Sequence, residues 1–231
     1  YSWDRAIYEY AHGNKNRGLE SLGHILHLIE DATVPDHTRD DPHPDFVYRN
    51  LLGQESPYEN FTGQFDISSI NVSKNLINEG LRPVIYSTLG EYFDKVANYS
   101  NNNFFSKDTI FQKKYNSPSI EKEGVEKLSN GKYENFGYKF LEKGKIRLIR
   151  FKDQFIEQEG ITKRLYFIDD NDNLILTDYW NLLSRHAVQN GAGVIKLFFD
   201  EVEKEKLTRL LYEKNKSWFA RLKDKLKRSD F

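Results

Sequence analysis

The sequence predicts a mainly α-helical domain that carries a small antiparallel β insertion. Near the start of the chain, apolar residues recur at helical spacing, at Leu19, Leu22, Leu26 and Ile29, which indicates an amphipathic helix. Over about 132–176 the pattern changes, because aromatic and aliphatic residues alternate with polar ones at period two and turn residues separate the runs. We therefore expect strands there, inside a domain that is otherwise helical.

The helices before the insertion have recognisable ends. Ser2 is a residue type that caps a helix, and a first helix is expected over about 3–11. The amphipathic helix that follows should end near Pro35, because proline has no N–H group to continue the hydrogen-bond ladder. A longer helical segment is predicted over about 68–99, and Pro83 should kink or split it.

Two hairpins are expected within the insertion. The first should pair 133–140 with 146–151, and the second should pair 165–168 with 174–176 across the turn residues 169–173. That acidic turn lacks the full spacing and the closing glutamate of a calcium-binding loop, so a hairpin turn is the favoured interpretation.

Helix is expected to resume at Tyr179 and to run to about Glu203, with a further helix to about Lys227. One domain in three parts is therefore predicted: a helical metal-binding core over 1–131, the β-hairpin insertion over 132–176, and C-terminal helices over 177–231 that close the same domain.

Composition limits the chemistry that the chain can perform. Hydrophobic residues make up 38% and charged residues 30%, which is typical of a globular protein. The formal net charge is only −1, so no stable nucleic-acid complex and no general attraction to an anionic membrane is expected. Cysteine is absent, so a metal site must use histidine, aspartate and glutamate.

Histidines are concentrated in one stretch, since four of the six fall within residues 18–59. His27 and Asp31 are one helical turn apart and share a face, so together they can hold one metal ion. The carboxylate could also bridge two ions. His24 precedes this pair by one turn and is expected to support a ligand rather than bind metal, and His37 follows just past the helix end.

The pattern His27-x3-Asp31-x5-His37, with Pro35 two residues before the last histidine, resembles the metal-binding helix of zinc-dependent phospholipases C. The fungal zinc nucleases that cut single strands share that fold and that pattern. The resemblance implies that His27 binds one zinc, that Asp31 bridges two zincs, and that His37 begins a separate zinc site.

The segment 56–61 resembles the part of those proteins that carries an acidic zinc ligand, which would be Glu59. The family usually places a histidine four residues before that acid, and this chain has Glu55 there. His43 is the first candidate for the missing imidazole ligand of the second site, and Glu55 is the second candidate.

The resemblance covers about 1–110 and, more weakly, 174–200, where the sequence is similar to the closing helix of bacterial members. The family also takes ligands from upstream: the N-terminal amine with its tryptophan, another histidine, then an aspartate and a histidine. The chain begins at Tyr1 without them, so we expect either a part of a longer protein or a form that has lost half of its site.

By this resemblance the chain is expected to act, as part of a longer enzyme, as a zinc-dependent phosphodiester hydrolase of the phospholipase C kind. It implies two or three zinc ions, with fewer possible here, and a secreted or cell-envelope location. The implied partners are a phosphodiester substrate, a membrane surface contacted peripherally and the upstream segment. No residue is assigned as catalytic acid or base. The alternatives are a single-strand nuclease and a non-catalytic binding or scaffold module that keeps a partial metal site.

Overall fold

The structure is a computed structural model. It describes residues 2–41, 56–66, 70–142, 144–157, 159–170 and 172–215, and for 210–215 it describes the backbone alone. The described part is 52% helical and 19% strand.

Helices and strands occupy separate stretches of the described chain. The α-helices are α1 (Trp3–His12), α2 (Lys15–Asp31), α3 (Pro35–Thr38), α4 (Pro57–Thr62), α5 (Val72–Asn78), α6 (Leu89–Asn103) and α7 (Leu174–Asn215), and a 3₁₀ turn covers Lys107–Thr109. The strands are β1 (Lys122–Lys127), β2 (Tyr133–Leu141), β3 (Gly144–Ile156) and β4 (Ile161–Phe167).

The chain divides into two compact units. The first unit comprises Tyr1–His27 and Val194–Phe231, and the second comprises Leu28–Gly193. The boundaries fall within α2 and within α7, so each of these helices contributes residues to both units.

The first unit has an aromatic core. The Ser2 hydroxyl accepts a hydrogen bond from the backbone N–H of Arg5 and so caps α1, as the sequence predicts. Trp3 and Tyr10 on α1 both pack edge-on against Phe198, with ring centroids 5.7 and 5.6 Å apart. Gly18 lets α1 and α2 approach closely, because a Cβ atom there would lie 2.8 Å from the Cβ atom of Tyr10.

The second unit is organised around a four-stranded antiparallel meander in the order β1-β2-β3-β4. Hydrophobic residues from β2 and β3 join residues from the first half of α7 in one buried cluster. The cluster includes Phe136, Leu148, Ile149, Tyr179 and Leu183, all of which are fully buried. The sheet and the helix therefore form the two layers of this core.

Tyr179 joins these layers through its hydroxyl group. The side chain is fully buried, and its hydroxyl donates to the carbonyl oxygen of Leu148 on β3 at 2.8 Å. The hydroxyl oxygen of Tyr179 in turn accepts a hydrogen bond from the backbone N–H of Phe105 at 3.2 Å. One side chain thus satisfies a buried carbonyl and a buried N–H group in two different segments.

The predicted mainly α fold is wrong, because the second unit combines helices with a four-stranded sheet that forms part of its core. The sequence concealed the size of the sheet because β1 (KEGVEK) contains a single aliphatic side chain, that of Val125, which is 61% exposed. An edge strand with two solvated faces has no apolar alternation to detect.

The first predicted hairpin is confirmed by the pairing of β2 with β3, but the second is wrong. β4 pairs with β3 instead, and the apolar run 174–176 begins α7. Asp170 explains this start, since its carboxylate accepts from the backbone N–H groups of Leu174 and Ile175, both at 2.9 Å. The acidic turn therefore caps a helix.

The predicted split at Pro83 is confirmed. Helix α5 ends at Asn78, α6 begins at Leu89, and the residues between them include an extended segment. Val84 in this segment donates its N–H to the carbonyl of Gln189 on α7 at 3.2 Å.

Replacing Tyr179 by phenylalanine should lower the free energy of unfolding by about 1–3 kcal/mol, because the carbonyl of Leu148 and the N–H of Phe105 would remain buried without their partner. Tyr133→Phe is the matched control, since Tyr133 is 70% exposed and its variant should change stability by less than about 0.5 kcal/mol. Urea denaturation of both variants measures the difference, and equal effects would contradict the proposed role of the Tyr179 hydroxyl.

Candidate metal centre

His37 lies on the single-turn helix α3, directly after the end of α2. Pro35 occupies the first turn of α3, where its missing N–H costs nothing, and both Pro35 and Asp36 are buried. Two tight hydrogen bonds close the turn between the helices, from Thr33 to the carbonyl of Glu30 and from Val34 to that of Asp31. The side chain of His37 is one-third exposed, so it can reach a ligand from solvent.

Arg39 anchors the C-terminal end of α3. Its side chain is fully buried. Its Nε donates to the hydroxyl of Thr109 at 2.6 Å, and its Nη1 donates to the carbonyls of Asn101 at 2.7 Å and of Asn116 at 3.1 Å. The guanidinium also lies 5.1 Å from the ring centroid of Tyr115. The backbone two residues from His37 is therefore tied to three separate parts of the chain.

A second polar contact holds α3 against α6. Ser100 on α6 is fully buried and its hydroxyl donates to the carbonyl of Thr33 at 2.9 Å. The hydroxyl of Thr38 donates to the hydroxyl oxygen of Ser100 at 3.4 Å. Together with Arg39, these contacts fix the orientation of α3 on the surface of the second unit.

The backbone of α4 at Glu59 is held by a helix cap and by a neighbouring side chain in the hydrophobic core. Ser56 is fully buried and its hydroxyl accepts from the backbone N–H of Glu59 at 3.1 Å, which caps α4. The neighbouring Tyr58 is 4% exposed and belongs to the hydrophobic core. Because one side of this short helix is buried, Glu59 is presented from a fixed backbone.

The structure brings His37 and Glu59 into direct contact. The Nε2 atom of His37 lies 3.0 Å from Oε1 of Glu59, across 22 residues of sequence. The hydrogen bond to Glu59 raises the pKa of His37 above its usual value, partial burial opposes this, and the charges of Glu59, Asp31 and Asp36 add to the increase. Three carboxylates therefore create a negative field around one imidazole.

The remaining predicted ligands are placed as follows. Asp31, at the end of α2, is half-buried and acts electrostatically on His37. His27 and His24 are exposed on α2. His43 and Glu55 lie outside the described residues, so the choice between them stays open. Within the described ranges, no group of three or more histidine, aspartate or glutamate side chains is arranged to hold a metal ion.

Sequence reasoning missed two of the groups that build this site. The burial of Arg39 could not be predicted from the sequence, because a single arginine in a polar stretch is usually exposed. Ser56 did carry a signal, because serine followed three residues later by glutamate is the pattern of a helix N-terminus. That pattern predicts the start of α4.

No family model, curated protein or solved structure matches the chain. The similarity to zinc-dependent phospholipases C therefore stays a prediction from the sequence. Among the described residues, no helix combines the length and the apolar character needed to cross a bilayer.

Replacing Glu59 by glutamine should lower the pKa of His37 towards about 6.5, because the amide removes the charge that favours the imidazolium. NMR titration of His37 measures this shift. Glu159→Gln is the control, since Glu159 lies in the turn between β3 and β4 and is not among the carboxylates that act on His37. An unchanged His37 titration in the Glu59 variant would contradict the assigned cause.

The same pair predicts a pH dependence of stability. A histidine whose pKa is raised by folding stabilises the protein fully below its unfolded pKa of about 6.5, and this contribution is lost as the pH rises through the folded pKa. Thermal unfolding from pH 5 to 9 should therefore show a decline above about pH 6.5 that is smaller in the Glu59→Gln variant. Parallel profiles for the two proteins would exclude this linkage.

Proposed function

We propose that the chain forms part of a zinc-dependent phosphodiester hydrolase and that His37 and Glu59 are two ligands of one zinc ion. The observation that carries this proposal is the 3.0 Å separation between His37 Nε2 and Glu59 Oε1. The resemblance to zinc-dependent phospholipases C implies that both residues are ligands of the same zinc site, and the hydrogen bond joins them from separate helices.

The distance between the two atoms suits a shared metal ion. With bonds of about 2.0–2.2 Å and tetrahedral angles, two ligand atoms on one zinc are about 3.4 Å apart. The present separation of 3.0 Å therefore needs to grow by only a few tenths of an ångström. Because Arg39 and Ser56 hold the two backbones, the pair is positioned before any ion binds.

The donor set also suits zinc chemically. A neutral imidazole and a carboxylate are common zinc ligands, and the additional charges of Asp31 and Asp36 favour a dication near His37. The two side chains supply only part of a first coordination sphere. The resemblance implies one further ligand of this ion, His43 or Glu55, whereas it assigns Asp31 to a separate pair of zinc ions.

A zinc ion held here would polarise a phosphoryl oxygen and lower the pKa of a bound water. The residues of the chain would contribute position and charge: His37 and Glu59 hold the ion, and Asp31 balances its charge. Phospholipid and single-stranded nucleic acid both offer the required phosphodiester, and phospholipid is the proposed substrate because of the resemblance in the metal helix. The net charge of −1 supplies no long-range attraction to either.

A non-catalytic binding or scaffold module is the second candidate. It is favoured by the lack of any three-residue metal group within the described ranges. A partial site that keeps the His37–Glu59 contact would still stabilise the junction between α3 and α4, with the hydrogen bond as its only role.

Zinc content separates these candidates. After exposure to excess zinc and dialysis, the parent chain should retain at least one equivalent, and His37→Ala and Glu59→Gln should each remove about one. Asp31→Asn should remove more than one if its carboxylate bridges two ions, because the amide cannot offset their repulsion. Elemental analysis measures the metal, and circular dichroism checks that each variant is folded.

Glu159→Gln is again the matched control and should leave the zinc content unchanged. Hydrolysis of phosphatidylcholine and of single-stranded DNA by the zinc-loaded chain then distinguishes the two substrates. A parent chain that retains no zinc under these conditions would contradict the hydrolase proposal and favour the scaffold.

A further inference from the structure

A groove runs along α7 in the second unit, on residues that the metal centre does not use. It consists of two adjoining cavities of about 360 and 290 Å³, and Asn181 and Arg185 line both of them. Their sizes correspond to the lower end of the roughly 300–1,000 Å³ found for small-molecule sites.

The larger cavity combines an aromatic wall with neutral amides. Trp180 is half-buried, packs on the hydrophobic core, and lies 4.9 Å from Phe65 between ring centroids. The side chains of Asn75, Asn181 and Ser184 line the same space. An amide group both donates and accepts hydrogen bonds, and so does the hydroxyl group of a ligand.

The charged groups of the smaller cavity are matched within the protein. Arg185 forms a bidentate ion pair with Glu79, in which one of the two hydrogen bonds is 2.8 Å long. Asp178 accepts from both the backbone and the side chain of Arg147, at 2.8 and 2.9 Å. Lys145, which also lines this cavity, lies 3.9 Å from Glu126, a carboxylate that it shares with Arg147. Each charged group that lines the cavity therefore lies beside a group of opposite charge.

The carboxylate of Asp178, which lines this cavity, can accept a further hydrogen bond. Both hydrogen bonds from Arg147 go to Oδ2 of Asp178, and within the described part of the chain no donor to its Oδ1 is present. Asp178 is partly buried and lines the smaller cavity. A carboxylate oxygen in this position accepts a hydrogen bond from a hydroxyl group.

We propose that the groove lined by Trp180, Asn181 and Asp178 binds a neutral saccharide. A sugar ring presents an apolar C–H face, which suits the aromatic wall, and hydroxyl groups around its edge, which suit the amides and the carboxylate. An anionic ligand would meet Arg185 already paired with Glu79, and Lys145 at the smaller cavity lies 3.9 Å from Glu126. An apolar ligand would cover the amides of Asn75 and Asn181 without offering them a hydrogen bond.

Titration of the intact chain with cellotriose, maltotriose and chitotriose tests the proposal, with inorganic phosphate as the anionic probe. In ¹H–¹⁵N spectra, at least one trisaccharide should shift the side-chain amides of Asn75 and Asn181 and reach saturation. Asn75→Ala and Asn181→Ala should each weaken that binding about fivefold, as expected for one lost hydrogen bond. Both residues are exposed, so their variants should fold.

Asn98→Ala is the matched control, because Asn98 is an exposed asparagine on α6 that lines neither cavity. It should leave the affinity unchanged. The proposal is overturned if no trisaccharide shifts either amide at concentrations up to tens of millimolar. It is also overturned if phosphate alone shifts them, or if the control weakens binding as much as the two groove variants. If a variant does not fold, the titration of the parent chain decides.

Discussion

The buried guanidinium of Arg39 is the constraint on which the candidate metal centre depends. It donates to the backbone carbonyls of Asn101 and Asn116 and to the hydroxyl of Thr109, and shortening the side chain would remove these donors. Burial of an arginine is costly, and here the cost is offset by these hydrogen bonds and by the aromatic ring of Tyr115. Since α3 is a single turn, it depends on tertiary contacts such as this one and those of Ser100 to hold His37 in place.

In the proposed zinc site, a proton and the metal ion would compete for His37. The carboxylates that raise the pKa of His37 stabilise positive charge in general, so they favour the imidazolium at low pH and a dication at higher pH. A zinc ion must displace the proton from His37 before it can bind. Metal affinity should thus rise with pH, and the hydrogen bond between His37 and Glu59 is the resting arrangement that the ion would replace.

Sequence patterns found the elements whose signals are local. The cap at Ser2 and the split at Pro83 depend on a few neighbouring residues, and both are confirmed. Sequence patterns did not predict the elements whose structure depends on tertiary context. The edge strand β1 was missed, and the run 174–176 was predicted as a strand although Asp170 caps the start of a helix there. The contact of His37 with Glu59 and the burial of Arg39 both join segments distant in sequence, which helical spacing cannot reveal.

Anomalous diffraction at the zinc absorption edge, from crystals grown with zinc, tests the central claim most directly. The account predicts an anomalous peak about 2.0–2.2 Å from both Nε2 of His37 and the carboxylate of Glu59, with Arg39 in its present contacts. Zinc bound only at other residues, or a His37–Glu59 hydrogen bond that persists unchanged in zinc-saturated crystals, would contradict it.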